Sequence, residues 1–220
     1  MIKVNHVSKT FLIGKMDVPV LEDINLTIEK GDFVSIMGPS GSGKSTLLYL
    51  MGGLDRVTKG EILIDGKEIN QLSDDEQSKM RRKNIGFVFQ FYNLIPNLTV
   101  EENIMMPALL DGATKKELKP KLDEILYLVG LTERRKHTPR ELSGGQQQRT
   151  AIARALITEP DIIFADEPIG NLDTKSGLEI MSLFQKINRE KNKTIVMVTH
   201  SEKSTEYGNR VIRLCNGHIA

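Results

Sequence analysis

The stretch Gly38-Pro39-Ser40-Gly41-Ser42-Gly43-Lys44-Ser45-Thr46 constrains this chain more than any other. It fits G-x-x-x-x-G-K-[ST], the pattern of a loop that cradles phosphates. The flanks suit it. Phe33-Val34-Ser35-Ile36-Met37 reads as a buried strand, and Ser45-Thr46-Leu47-Leu48-Tyr49-Leu50-Met51 as the start of a helix. Gly38, Gly41 and Gly43 allow a tight turn that brings backbone N–H groups up to an anion. The helix adds its positive end and its unpaired N–H groups. Lys44 offers a compact positive charge to the outer phosphates, and the Ser45 hydroxyl can ligate Mg²⁺. Ser40, Ser42 and Thr46 complete the set expected to face the phosphates. A chance glycine-rich turn is the bland alternative, and the strand–loop–helix context argues against it.

The rest of the composition narrows the class. The 220 residues suit one domain, 39% of them hydrophobic. No run of 18 apolar residues is present, so no membrane span is expected. The opening Met1-Ile2-Lys3-Val4-Asn5-His6 has no apolar leader, so no signal peptide is expected. The single cysteine, Cys215, excludes an internal disulfide and fits a cytoplasmic protein. Thirty Lys and Arg against 29 Asp and Glu leave a net charge of +1, without the basic excess of a nucleic-acid binder. The histidines lack the spacing of a zinc site.

Two kinds of pattern alternate along the chain. Ile2 to Phe11 reads as a strand with its exit loop, and Ile24 to Ile28 as a half-exposed antiparallel strand. Gly60 to Ile64 is a strand closed by the Asp65-Gly66 turn. Ser73 caps a polar helix to Arg81, with Glu76 in the capping-box position. Ile85 to Val88 is a short strand. From Gln90 to about Glu159 helical periodicity takes over. Thr99 starts one helix with a capping box, and Leu118, Leu122, Ile125, Leu126 and Val129 form a helical stripe over Lys115 to Val129. Strands return at Ile162 to Ala165, Thr194 to Thr199 and Val211 to Leu214, with a helix over Thr174 to Arg189. The expected architecture is an α/β core around a mostly parallel sheet, an antiparallel side sheet, and an inserted helical lobe. The basic runs Arg81-Arg82-Lys83 and Arg134-Arg135-Lys136 are expected to be solvated faces. A minor alternative is contact with anionic lipid head groups.

Two further stretches carry chemistry. Ile162-Ile163-Phe164-Ala165-Asp166-Glu167 delivers two carboxylates at the end of an apolar strand, where ligands of open α/β sheets bind. Asp166 is the candidate to hold Mg²⁺, and Glu167 to polarise an attacking water. Leu142-Ser143-Gly144-Gly145-Gln146-Gln147-Gln148-Arg149 has Ser143 as a cap and Gly144-Gly145 as a second place where backbone can approach an anion. One nucleotide does not need both anion sites from one subunit, which hints at an interface.

The pentapeptide Leu142 to Gln146 reads LSGGQ. With the phosphate loop upstream and Asp166-Glu167 downstream, the whole chain resembles the ATP-binding cassette (ABC) ATPases. The resemblance implies a P-loop NTPase (RecA-like) fold in a single domain, 1–220, with the core at 1–89 and 159–220 and the helical subdomain at 90–158. It implies ATP and Mg²⁺ as ligands and ATP hydrolysis as the activity. Phe11 resembles the aromatic that stacks on adenine. Gln90 resembles the glutamine that touches Mg²⁺ or water and senses a membrane partner. Asp173, in Asn171-Leu172-Asp173, resembles an aspartate that reaches across a dimer, and His200 a histidine that contacts the γ-phosphate. Ser143, Gly144, Gly145 and Gln146 would meet the ATP held by a second subunit. The implied partners are a transmembrane permease subunit and a second ATPase copy, not nucleic acid, and the implied location is the cytoplasmic face of the membrane.

Gly52-Gly53-Leu54-Asp55-Arg56, the stretch Arg81 to Gln90, and Asp166-Glu167-Pro168 with Gly170 to Asp173 look like the macrolide-exporter and lipoprotein-releasing group, which includes relatives for antimicrobial-peptide resistance. Ile169 and Ser201 depart from its pattern, where Thr and Asp are usual. The sequence runs only to Ala220, a few residues past Asn216-Gly217, so a regulatory tail is expected either to be absent or to lie outside it. The alternative of a different class is a clamp of DNA repair or chromosome maintenance, which uses related ATPase heads. The absence of a heptad run and of surplus basic charge argues against it. A non-hydrolysing nucleotide switch is a third reading, opposed by Glu167 and His200.

Overall fold

The computed structural model describes all 220 residues. Two sheets organise it. A six-stranded sheet has the order β10-β9-β3-β8-β7-β6, and a four-stranded sheet the order β2-β1-β4-β5. In the first, β3 (Phe33–Met37), β6 (Ile85–Phe89), β7 (Ile162–Asp166), β8 (Thr194–Val198) and β9 (Arg210–Cys215) run parallel, and the short β10 (His218–Ile219) closes antiparallel on β9. In the second, β1 (Ile2–Ile13), β2 (Met16–Ile28), β4 (Lys59–Ile64) and β5 (Lys67–Glu68) are antiparallel.

The central strands read as unbroken apolar runs because both of their faces are covered. Alternate residues divide between two cores. Phe33, Ile163, Ala165, Ile195 and Met197 face the helices α3 (Val100–Leu110), α4 (Lys115–Leu128), α5 (Gly144–Leu156) and α6 (Thr174–Lys191). Val34, Ile36, Ile162, Phe164, Val196 and Val198 face the antiparallel sheet and α1 (Lys44–Met51). On α6, Ile180, Met181, Phe184 and Ile187 repeat at helical spacing and are all essentially inaccessible. Burying each such side chain contributes about 1.5–3 kcal/mol.

The parallel register sets up everything that follows. One row crosses the sheet through Phe89, Asp166, Val198, Ile36 and Ile212. Gln90, Glu167, Thr199 and Met37 each lie one residue past that row, so the loops that leave these strands emerge along one edge. Between β6 and β7 the chain is helical, with α3, α4, two 3₁₀ turns (Thr132–Arg134 and Pro139–Glu141) and α5.

Local signals marked the helix starts well. Ser73, Thr99, Thr114 and Ser143 each close a reciprocal capping box with the residue three positions on. Ser73 caps α2 (Asp74–Asn84), which runs three residues past the expected Arg81. The amino-terminal strand is longer than expected. β1 continues beyond Phe11 to Ile13 and turns at Gly14-Lys15 into β2, most of which was not anticipated. Pro19 obscured β2, yet β2 is an edge strand, where a residue without an N–H is tolerated.

The basic runs are not simply solvated, because several of their side chains pair with other elements. Arg81 donates to the Gly53 carbonyl at 2.6 Å, and Arg82 and Lys83 both approach Asp111 at 3.5 Å. Arg135 bridges Glu101 at 2.8 Å and Asp123 at 2.9 Å, and Lys136 also pairs with Glu101. These contacts join α2 to the end of α3, and the 134–136 turn to α3 and α4.

Asp173 is the N-cap of α6. It accepts from the Ser176 amide at 3.0 Å and the Ser176 hydroxyl at 2.6 Å. Those bonds from Ser176 hold its carboxyl below the usual aspartate range. A depressed folded-state pKa means that the cap's electrostatic stabilisation is complete above the unfolded aspartate value and fades as pH falls through the folded one. Asp173→Ala is expected to lower the melting temperature by roughly 2–4 °C at neutral pH, whereas Asp173→Asn, which still caps, stays close to wild type. Thermal melts across pH test both: the alanine deficit should shrink toward low pH.

Candidate functional site

Gly38 leaves the buried strand β3 with φ +154°, and a Cβ there would lie 2.0 Å from the Leu214 carbonyl oxygen on β9. Only a residue without a side chain fits between the two backbones. Gly43 caps α1 from the left-handed region, φ +96°. α1 has no side-chain cap and no acidic residue in its first turn, so its leading N–H groups remain available to an anion. The Ser42 hydroxyl is buried in the loop without a partner.

Lys44 opens the helix. It is 5% exposed, and its ammonium donates to the Pro39 carbonyl at 2.7 Å. Burial pulls its pKa below the ordinary lysine value, opposed by the negative charges of Glu167 and Asp166. One residue on, the Ser45 hydroxyl donates to Asp166 Oδ1 at 2.8 Å, across 121 residues of sequence. The Tyr49 hydroxyl donates to Asp166 Oδ2 at 2.6 Å. Burial and the Asp166 carboxylate together drive the Tyr49 phenol well above its usual pKa, so it stays a donor. Tyr49 was missed from sequence. The available signal was its position four residues after Ser45, on the same helix face.

Glu167 follows at the end of β7 with φ +46°, a left-handed conformation that is strained for a residue with a side chain. Its amide donates to the Val198 carbonyl at 3.0 Å, and its Oε1 lies 2.6 Å from His200 Nε2. Ser40, Gly41, Gly43, Lys44, Ser45 and Thr46 line one open cleft together with Glu167, His200 and Val20 of β2. The phosphate loop, the second carboxylate and the histidine therefore converge.

The other predicted residues lie apart from that cleft's lining. Gln90 hydrogen-bonds Asn171, its amide donating to Oδ1 at 3.3 Å while Asn171 Nδ2 donates to the Gln90 carbonyl at 3.1 Å. Phe11 sits on β1, 37% exposed, with the Lys9 ammonium 4.6 Å from its ring centre. Ser143, Gly145 and Gln146 line a second cleft with Arg149, Ser176 and Glu179. Asp173 caps α6, beside that second cleft, through Ser176. The two anion-suited helix starts thus belong to separate surfaces of one chain. Gly144 packs against Tyr92, whose hydroxyl a Cβ at 144 would meet at 3.0 Å.

Two more residues went unnoticed in the sequence. Arg154, near the end of α5, donates to the Tyr92 carbonyl at 2.7 Å and also to the Asn93 carbonyl, clamping two consecutive left-handed residues after Gln90. Gln148 donates to the Pro168 carbonyl at 2.6 Å. Neither position carries a local signal, because each acts through a tertiary contact.

The donors near Asp166 are all oxygens: a hydroxyl, a carboxylate and a phenol. That set suits a hard cation such as Mg²⁺. No group of three His, Cys, Asp or Glu side chains is arranged to hold a metal unaided, so an ion here would need phosphate oxygens as well.

A family profile described as "ABC transporter" matches residues 21–170. The chain belongs to the ABC transporter family. Relatives agree over the whole chain. The uncharacterized ABC transporter ATP-binding protein MJ0796 of Methanocaldococcus jannaschii is 50% identical, covering 100% of this chain and 95% of the relative. The lipoprotein-releasing system ATP-binding protein LolD 1 of Rhodopseudomonas palustris is 46% identical, covering 100% of this chain and 98% of the relative. The macrolide export ATP-binding/permease protein MacB of Syntrophobacter fumaroxidans is 42% identical over 100% of this chain, which spans 31% of that longer protein. The dimeric structure of MJ0796 in a post-hydrolysis state, bound to ADP and Pi, superimposes with a TM-score of 0.92 at 47% identity, covering 100% of this chain and 96% of that one. This ABC protein is an ATP-binding ATPase subunit, and its fold is the cassette fold.

The glycines offer a graded test of the loop. At Gly41 a Cβ meets nothing within 4 Å, although φ is +77°. Gly41→Ala should therefore carry only the left-handed backbone cost of about 1 kcal/mol. Gly38→Ala forces β9 away from the loop and should cost about 3 kcal/mol or more. Thermal melts and nucleotide titration are expected to rank wild type, then Gly41→Ala, then Gly38→Ala, with ATP binding abolished in the last.

Proposed function

We propose that two copies of this ATPase pair head to tail about a two-fold axis, each ATP lying between one copy's Gly38–Thr46 and the other's Ser143–Gln146. The observation that carries this reading is the presence of two anion-suited helix starts on separate clefts of one chain. Each is half of a site, and a second copy supplies the complement.

Within a site the roles follow from chemistry. Backbone N–H groups of the loop and α1 hold the β- and γ-phosphates, and Lys44 offsets their charge. Ser45 and Asp166 would hold Mg²⁺, which would supply charge neutralisation on the β- and γ-phosphates. Tyr49 orients the Asp166 carboxylate. Glu167 accepts a hydrogen bond from the attacking water, its carboxylate steadied by His200, which is also within reach of the γ-phosphate end of the cleft. Gln90, held by Asn171, would contact the ion or the water at the nucleotide. Phe11 presents a half-exposed ring to adenine. Ser143 and the amides of Gly144 and Gly145 meet the γ-phosphate of the partner's ATP, with Gln146 beside them, and Asp173 approaches across the same interface.

The second part of the reading is coupling. No helix is long and apolar enough to cross a membrane. In this reading the chain docks at the cytoplasmic face of the membrane on a separate transmembrane permease subunit, which hydrolysis drives through Gln90 and the helices between β6 and β7. Likeness to LolD and MacB supports export or mechanical transmission, with lipoproteins, macrolides or antimicrobial peptides as the cargo class.

Glu167→Gln is expected to lower Mg²⁺-dependent phosphate release by at least about 100-fold while letting ATP accumulate a stable dimer. Ser143→Arg should abolish ATP-driven dimerisation, read by sedimentation, and leave monomer ATP binding nearly intact. Turnover unaffected by Glu167→Gln would sink the assignment of that carboxylate. Stimulation of turnover by DNA, and not by a membrane subunit, would favour a clamp.

A further inference from the structure

The helix α5 touches three chemically important places. Its first turn carries Ser143 to Gln146, its last turns clamp the residues after Gln90 through Arg154, and between them Gln148 reaches the turn that holds Glu167. Gln148 is fully buried. Its amide nitrogen donates to the Pro168 carbonyl at 2.6 Å, and its Oε1 has no hydrogen-bond partner. An orphaned buried acceptor is unfavourable, so packing alone would be better served by an apolar side chain of similar size. An amide at this position needs a reason beyond packing, and its one bond supplies it.

That bond ends on Pro168, immediately after Glu167. The turn is otherwise fixed by the Glu167 amide on Val198, by Gly170 donating to the Glu167 carbonyl at 3.0 Å, and by the Gln90–Asn171 pair. Proline has no N–H, so its carbonyl is the only backbone handle that residue 168 offers. Glu167 is held at a left-handed φ, and such a conformation persists only where its surroundings over-determine it.

We propose that Gln148 is a positioning residue. It ties the orientation of the Glu167 carboxylate to the placement of α5, whose amino-terminal turn meets the nucleotide of the other subunit. This rests on the paired-site reading above and deepens it. A helix moves as a rigid rod, so a shift at Ser143 is felt at Gln148 a little over one turn away. Each subunit's own hydrolysis geometry thereby depends on whether its partner has ATP bound. By linkage the dependence is reciprocal for binding, and in a symmetric pair it appears as cooperativity.

Steady-state ATP turnover of the full chain with Mg²⁺, alongside thermal melts, tests this with three variants. Gln148→Met keeps the volume and deletes the bond. Its kcat should fall about 10- to 100-fold, the cost of a misplaced catalytic group. KM for ATP and melting temperature should barely move, and the Hill coefficient should drop toward unity. Gln148→Glu supplies an internal rescue. Its protonated carboxyl can donate to Pro168 and its carboxylate cannot. A buried glutamate titrates well above its usual value, so kcat relative to wild type should recover as pH falls from about 8 to about 6. A Gln148→Met enzyme within about twofold of wild type in kcat overturns the proposal. So does an unchanged Hill coefficient accompanied by a large loss of thermal stability, which marks a purely structural bond. If Gln148→Met does not fold, the pH profile of Gln148→Glu decides, and a flat relative profile overturns the proposal. Glu167→Gln separates the layers. If it leaves turnover intact, the underlying assignment of Glu167 fails; if it blocks turnover while the Gln148 variants behave as wild type, only the role of Gln148 fails.

Discussion

Parallel hydrogen bonding between β3, β8 and β7 is the constraint on which the site depends. Pairing Ile36 with Val198 and Val198 with Asp166 brings the strand ends level. Slipping any one strand by a single residue would move its loop along the edge and turn its side chains to the opposite core. The alternation of Phe33, Ile163 and Ile195 toward one core and Val34, Ile162 and Val196 toward the other penalises such a slip on both faces. Two cores therefore hold a chemical alignment that no single hydrogen bond could hold.

Onto that edge the chain places its charges economically. Asp166 accepts from two hydroxyl donors on one helix, Ser45 and Tyr49, which fix the orientation of its carboxylate. Lys44 is held by a carbonyl, not by a carboxylate, so its full charge is uncommitted to a salt bridge. Glu167 and His200 hold each other across the mouth of the cleft. The result is a site whose positive groups face inward to phosphate and whose acidic groups already have partners of their own.

What was legible in the sequence was whatever is encoded locally. The glycine spacing of Gly38 to Gly43, the carboxylates ending Ile162 to Glu167, the capping boxes at Ser73 and Thr99, and the cap at Ser143 each need only a few neighbouring residues to recognise. The α/β layout followed from apolar runs alternating with helical stripes. What was not legible depends on residues distant in sequence. β2 was hidden because Pro19 is admissible only once the strand is known to be an edge. The basic runs looked solvated because their partners, Asp111, Glu101 and Asp123, come from other elements. Tyr49, Gln148 and Arg154 do nothing recognisable until Asp166, Pro168 and Tyr92 are brought beside them. Separation of the two clefts likewise required the folded chain.

The long reach of the central sheet bears on how such a protein is made. β3 is synthesised early, yet its neighbours β8 and β9 come from the last part of the chain. Phe33 is tied to Asn209 across 176 residues, and Gly38 is walled in by the backbone of Leu214. Contacts this distant in sequence form slowly, and a nascent chain emerges from its amino terminus first. A chain still on the ribosome therefore carries its phosphate loop without the walls that shape it. The backbone that walls in Gly38 is in place only when the carboxy-terminal strands have docked on β3.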